Sequence, residues 1–163
     1  MTRAVNTALA GAGGILQVVS VAKTDVFSTT ATSFTDVTGL TVTITPKSAS
    51  NYILVLGSVE LGAGPDVGFI RLMRDSTPIQ IGDAAGVRVQ CTAQMRNSTD
   101  VADADSCAIA YKDSPATTSP VTYKIQTYAA GGVTVRINAS ADDLNQTNRG
   151  RTASTLILME IAG

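Results

Sequence analysis

The chain contains no histidine and no tryptophan. Without histidine there is no imidazole general acid or base, no Ser-His or Cys-His nucleophile pair, and no ordinary zinc site. Four tyrosines and three phenylalanines are the only aromatics. A stacking platform for sugars or bases would have to be assembled from rings scattered along the sequence, which counts against a carbohydrate or single-stranded nucleic acid binder. Charge is scarce as well: 15% of the 163 residues, with a net value of -1, against a usual quarter. No basic excess draws the chain to nucleic acid or to an anionic membrane, and neither partner is expected. No apolar run reaches the roughly 18 residues of a membrane span. Cys91 and Cys107 are too few for a disulfide framework. They read as small hydrophobes on apolar strand faces or as a single bridge between neighbouring strands.

In place of charge the chain carries Thr, Ser, Ala and Val in alternating patterns. Leu40, Val42 and Ile44 alternate with Thr41, Thr43 and Thr45, the period of a half-buried strand, and Pro46 stops it. Residues 52–61 are apolar at odd and even positions alike, the pattern of a strand covered on both faces. Val67 to Arg74, Val87 to Met95 and Cys107 to Tyr111 read as further strands. Val121 to Tyr128 and Val133 to Ala139, separated by Gly131 and Gly132, read as a hairpin. The count is roughly ten short strands with turns between them, no helix and no internal repeat. The fold class is therefore all-β, an antiparallel β-sandwich. Residues 1–14 form a short extended N-terminal arm, flexible or docking, and residues 15–163 form a single domain. Asn6 and Thr7 interrupt the arm's apolar stretch, so a signal peptide is not expected, and the chain is expected to be made in a cytoplasm.

Few residues point to chemistry. Asp100, Asp103 and Asp105 share a loop and are candidate calcium ligands, although the spacing is not that of an EF-hand. Glu60 and Glu160 are the only glutamates. Each is expected to face solvent or to pair with an arginine such as Arg71, Arg136 or Arg151, rather than to form a glycosidase pair. No cofactor is expected and the chain reads as a non-enzyme. Three polar loops, 97–105, 112–120 and 142–151, are the candidate interaction surfaces, with Asn97, Asp100, Asp113, Asp142, Asn145, Arg149 and Arg151 as candidate contacts. Asn97, Asn138 and Asn145 begin glycosylation-type triplets of the sort a Ser/Thr-rich chain produces by chance.

Three segments carry a resemblance: Gly14-Ile15-Leu16-Gln17-Val18-Val19-Ser20, Ser33 to Pro46 with its Phe34-Thr35-Asp36-Val37-Thr38-Gly39 phrase, and the closing Ser154 to Ile161. Together they resemble small all-β virion proteins of tailed bacteriophages, of the tail-fibre, head-fibre or capsid-decoration type. The resemblance implies a jelly roll similar to the tumour-necrosis-factor and complement C1q class of knobs, assembled as a homotrimer. It further implies a structural protein of the virion, assembled in the host bacterial cytoplasm. The arm, with Arg3, Val5 and Leu9 as candidate contacts, would dock on capsid or tail proteins. The alternative is a receptor- or glycan-binding module, lectin-like or adhesin-like, that attaches to a host surface as a tail-fibre tip.

Overall fold

The structure, a computed structural model, describes residues 14–96 and 101–163. Among these residues there are eleven strands: β1 Ile15–Lys23, β2 Phe27–Thr29, β3 Thr35–Ile44, β4 Tyr52–Ala63, β5 Val67–Arg74, β6 Thr77–Ile79, β7 Ala93–Arg96, β8 Asp105–Asp113, β9 Val121–Ala129, β10 Val135–Ile137 and β11 Ser154–Ile161. A 3-10 turn at Ala130–Gly132 follows β9. Every ladder is antiparallel.

The strands form two sheets packed as a sandwich. One has six strands and the other five. In the six-stranded sheet β4 is the spine. One edge of β4 pairs with β8 from Ile53 to Leu61; the other pairs with β11 from Tyr52 to Ser58 and then with β10 from Leu61 to Ala63. β10 and β11 thus run in line along one edge of β4. β1 and β2 run in line outside them, against β11 and β10 respectively. In the five-stranded sheet the order is β3, β9, β5, with β6 and β7 in line along the free edge of β5.

The period-two patterns place the core between the sheets. Leu40, Ile53, Leu61, Ile70, Leu72, Tyr123, Ile125, Ile137, Leu156 and Leu158 are fully buried there. Each such aliphatic side chain contributes about 1.5–3 kcal/mol of transfer free energy. Gly68 sits on the core face of β5 because a Cβ would come within 3.0 Å of Leu61 Cδ2 and 3.2 Å of Val135 Cγ2. Asp75, at φ 51°, and Ser76 make the two-residue turn that joins Arg74 to Thr77.

Two expectations are corrected. β9 and β10 do not form a hairpin: β9 pairs with β3 and β5, and β10 with β2 and β4. Both edges of β9 are taken within its own sheet, so the Gly131–Gly132 turn carries the chain across to the other one. Residues 87–92 are not a strand. The ladder with β5 begins only at Ala93, because β6 already occupies that edge of β5 from Leu72 to Arg74, and the Thr92 side chain caps the junction, its Oγ1 accepting the Leu72 N–H at 2.9 Å. Val87, expected on a core face, is fully exposed.

The sandwich has two distinct ends. Gly14 accepts the Ala162 N–H at 2.9 Å, and Gly163 donates to Asn51 Oδ1 at 3.1 Å. Gly14 and Gly163 therefore lie with the β3–β4 turn, and the 114–120 loop lies at that end too, since Asp113 pairs with Ile53 and Val121 with Ile44. The β4–β5 turn, the start of β8 and the β9–β10 turn lie at the opposite end.

Candidate functional site

β10 and β11 are one line of strand broken by an excursion of residues 138–153. Asn138 holds the break open. It has φ 68°, a left-handed conformation that asparagine tolerates. Its buried side-chain amide donates to the carbonyls of Lys23 at 2.8 Å and Asp25 at 3.0 Å, and its Oδ1 accepts Ser154 Oγ at 2.6 Å. Its backbone N–H donates to Glu60 O at 3.0 Å, while Ser154 Oγ accepts the Glu60 N–H at 3.0 Å. The backbone groups of β4 at the break are thereby satisfied from both sides.

From there the excursion runs over the outer face of β4. Gly62 makes this possible: a Cβ would lie 2.7 Å from Ala141 N and from Ser140 C, and closer still to Ala139 O. On the far side, Asp142 N donates to Val101 O at 3.2 Å, so the loop preceding β8 touches the excursion. Arg149 grips Asp142 with two nitrogens, Nε and Nη2, at 2.6–2.9 Å. The Asp142 carboxyl is held down to about 2, first by Arg149, with help from Ser140. Asp143 pairs with Arg151 and approaches Arg136 at 4.0 Å. The acidic and basic groups of the excursion thus neutralise one another, and Leu144 to Asn148 stand exposed at its tip.

The candidate contacts fall in different places. Asp142, Arg149 and Arg151 shape the excursion, and Asn145 lies on its exposed tip. Asp103 and Asp105 are exposed beside the start of β8. Among the described residues no group of three or more His, Cys, Asp or Glu side chains is close enough to hold a metal ion. Asp113 is not a loop residue. It ends β8, is buried, and accepts Tyr123 Oη at 2.5 Å and Arg74 Nη1 at 2.8 Å. Burial, then the Asp113 contact, pushes the Tyr123 phenol far above its ordinary value of 10.0. The 112–120 loop lies at the end opposite the 101–104 and 138–153 segments, so the structure brings together two of the three candidate loops. Asn97, Asp100, Arg3, Val5 and Leu9 lie outside the described residues.

Glu60 and Glu160 also differ from expectation. Glu160 is fully buried and meets no arginine among the described residues. Its carboxylate accepts Asn51 Nδ2, Lys47 N and Gln17 Nε2, each at 2.6 Å. Desolvation raises its carboxyl, but the donors from Asn51, Gln17 and the Lys47 and Ser48 backbone outweigh it, and the net shift is downward. Glu60 is half-buried and accepts Ser58 Oγ at 2.9 Å. Glu160 pairs with Ile53, seven residues from Glu60 along β4. At about 3.3 Å per residue the two carboxylates are roughly 23 Å apart, beyond the spacing of any glycosidase pair.

No protein-family model matches this chain, and no characterised protein matches it in sequence. Below the excursion, the outer face of the six-stranded sheet is apolar. Val18, Met159 and Leu54 form one cross-strand row, Ser20, Ile157, Leu56 and Ala110 the next, and Ile161 and Tyr52 lie beyond. Ile15 and Val18 are each 53% exposed. The single charge in these rows is Lys112, whose ammonium sits 3.5 Å over the Tyr52 ring. The strand expected to be covered on both faces is covered on its core face and, by the excursion, only at Gly62. Both cysteines are free thiols, Cys107 buried and Cys91 half-buried. Asn138 is buried, which removes its glycosylation triplet from consideration in the folded chain.

Proposed function

We propose that this chain is a bacteriophage virion structural protein: a jelly-roll knob that assembles as a homotrimer and is attached to the particle through residues 1–14. The observation that carries the reading is the apolar outer face of the six-stranded sheet. Four strands about 4.8 Å apart and three outward rows about 6.8 Å apart make a face of roughly 400 Å². That is the size of the largest apolar patch on a soluble monomer, and patches of this kind mark association sites. A second copy of the chain is the occupant that fits, because the face offers almost no charge for a polar partner to recognise and its exposed β1 edge is equally apolar.

The strand order supports a jelly roll. Counting each in-line pair as one strand gives eight. The sheets then read first-eighth-third-sixth and second-seventh-fourth-fifth, an order in which consecutive strands alternate between sheets except at the fourth-to-fifth hairpin. The polarity of the domain supports attachment by the arm. The chain enters at Gly14 beside the 114–120 loop, and the excursion lies towards the opposite end. In this reading the knob projects from the capsid or tail, as a decoration, short head fibre or fibre tip, with its distal loops facing the medium.

Light scattering tests the assembly. The full chain is expected at about three times its 16.7 kDa mass, and to stay there when residues 1–14 are removed. Leu56→Glu, on the outer face, is expected to give a folded monomer. A monomeric wild-type chain at tens of micromolar would refute the trimer.

A further inference from the structure

We infer that the outer face of the five-stranded sheet, opposite the apolar face, carries a binding site for an acidic saccharide, centred on Arg71 and the half-buried rings of Phe34 and Tyr128, with buried Phe69 behind them. The rings are far apart in sequence and are gathered by the β3–β9–β5 ladders. Phe69 pairs with Tyr128 across β5 and β9 and stacks on it at 5.2 Å between centroids and 17° between planes. Phe34, just before β3, meets Tyr128 edge-on at 5.6 Å. Phe69 is itself buried and backs Tyr128, so the half-buried rings of Phe34 and Tyr128 form the surface against which sugar C–H faces pack.

Arg71 supplies the polar half. Its guanidinium carbon lies 3.8 Å from the Phe34 ring centroid, and Nε and Nη2 both donate to Gln126 Oε1, at 3.2 and 2.6 Å. These contacts fix the plane of the group and leave Nη1 without a partner among the described residues, and it is not among the buried unsatisfied atoms. Among the described residues no carboxylate forms an ion pair with Arg71. The nearest on this ladder, Asp36, is taken by Lys124 Nζ and Gln126 Nε2, both at 2.7 Å. Desolvation already acts on Arg71, lowering its pKa. A stacked, oriented, part-desolvated arginine with a free N–H edge is built to receive a carboxylate. Arg96, paired with Val67 on the same face, forms no ion pair among the described residues. The described residues of the patch are therefore net positive on a chain whose net charge is -1, which selects acidic over neutral sugars. The site stands on this patch alone and stays open whether or not the apolar face of the other sheet is covered.

The test is a printed array of uronate-containing, sialylated and neutral oligosaccharides probed with the full chain at 0.15 M salt (roughly physiological), followed by calorimetric titration with the oligosaccharide that binds best. Acidic sugars are expected to be retained and their neutral counterparts not. Arg71→Gln and Phe34→Ala are each expected to weaken binding at least about tenfold, and Arg71→Lys less, since it keeps the charge but not the fork. Thermal unfolding of each variant reports whether the sheet is intact, and Lys112→Ala, on the other sheet, is expected to bind as wild type. Retention of no acidic sugar at millimolar concentration, equal retention of neutral sugars, or undiminished binding by folded Arg71→Gln would each overturn the inference.

Discussion

Replacing Glu160 tests what holds together the end of the sandwich where Gly14, Gly163 and the β3–β4 turn meet. Its carboxylate is fully buried and accepts three hydrogen bonds of 2.6 Å, one of them from the backbone of Lys47 in the β3–β4 turn. Glu160→Ala leaves Lys47 N–H and Asn51 Nδ2 without an acceptor in a closed space, at about 1–3 kcal/mol each, while half-buried Gln17 can turn to water. The expected loss is about 3–5 kcal/mol, a large part of the 5–15 kcal/mol that a domain commonly has. Glu160→Gln keeps an oxygen for Lys47 and Asn51 but sets its amide against that of Gln17 and loses the charge, so about 1–2 kcal/mol is expected. Because the folded carboxyl is depressed below its ordinary 4.5, its contribution is present above that value and is lost as pH falls through the lower folded value. The gap between wild type and Glu160→Gln should therefore narrow on acidification. Urea unfolding followed by circular dichroism, at fixed protomer concentration and at pH 7 and pH 3 (either side of the ordinary carboxylate range), measures all of this. A Glu160→Ala variant within about 0.5 kcal/mol of wild type at pH 7, the scatter of an inert surface change, would refute the reasoning.

Two further outcomes follow from the geometry. Gly62→Ala places a methyl group against the Ser140 and Ala141 backbone. Loss of about 1–3 kcal/mol is expected, with the amide of Asp142 exchanging hydrogen faster as the excursion lifts from the sheet; unchanged exchange would count against the seat. Tyr123 is held protonated by burial and by Asp113, its folded pKa raised. Its contribution to stability is complete below the ordinary phenol value of 10.0 and is lost as pH rises beyond it. The tyrosinate absorbance of the folded chain at alkaline pH should fall short of the unfolded chain's, and a full four-tyrosine change in the folded state would contradict the buried pair.

β3 and β9 were legible because their period of two reports one buried face directly, and β4 and β11 because a short, nearly continuous apolar run between turns marks a strand; all four lie where the apolar residues place them. Pairing was not legible. Val121 to Ala139 has the local grammar of a hairpin, yet its halves join different sheets, because which edges are already occupied is settled by β3, β5, β2 and β4, all remote in sequence. The same holds for polar residues. Asp113 follows an apolar run and precedes a Ser/Thr/Pro loop, and only the arrival of Tyr123 and Arg74 makes it a buried acceptor. Glu160 looks like a surface residue at the end of a strand until the β3–β4 turn closes over it.

The sequence by itself determined that this is an all-β chain, poor in charge and free of histidine, with too few cysteines for a disulfide framework. These properties are compositional or have a period of two, so they need no knowledge of what lies across the fold. Only the tertiary structure decided which apolar positions face the core and which face outward, that the 138–153 excursion lies on Gly62, and that Phe34, Phe69 and Tyr128 meet beside Arg71. The reason is physical: strand alternation fixes two faces but not which is buried, and that choice follows from long-range pairing, whose partners lie tens of residues apart.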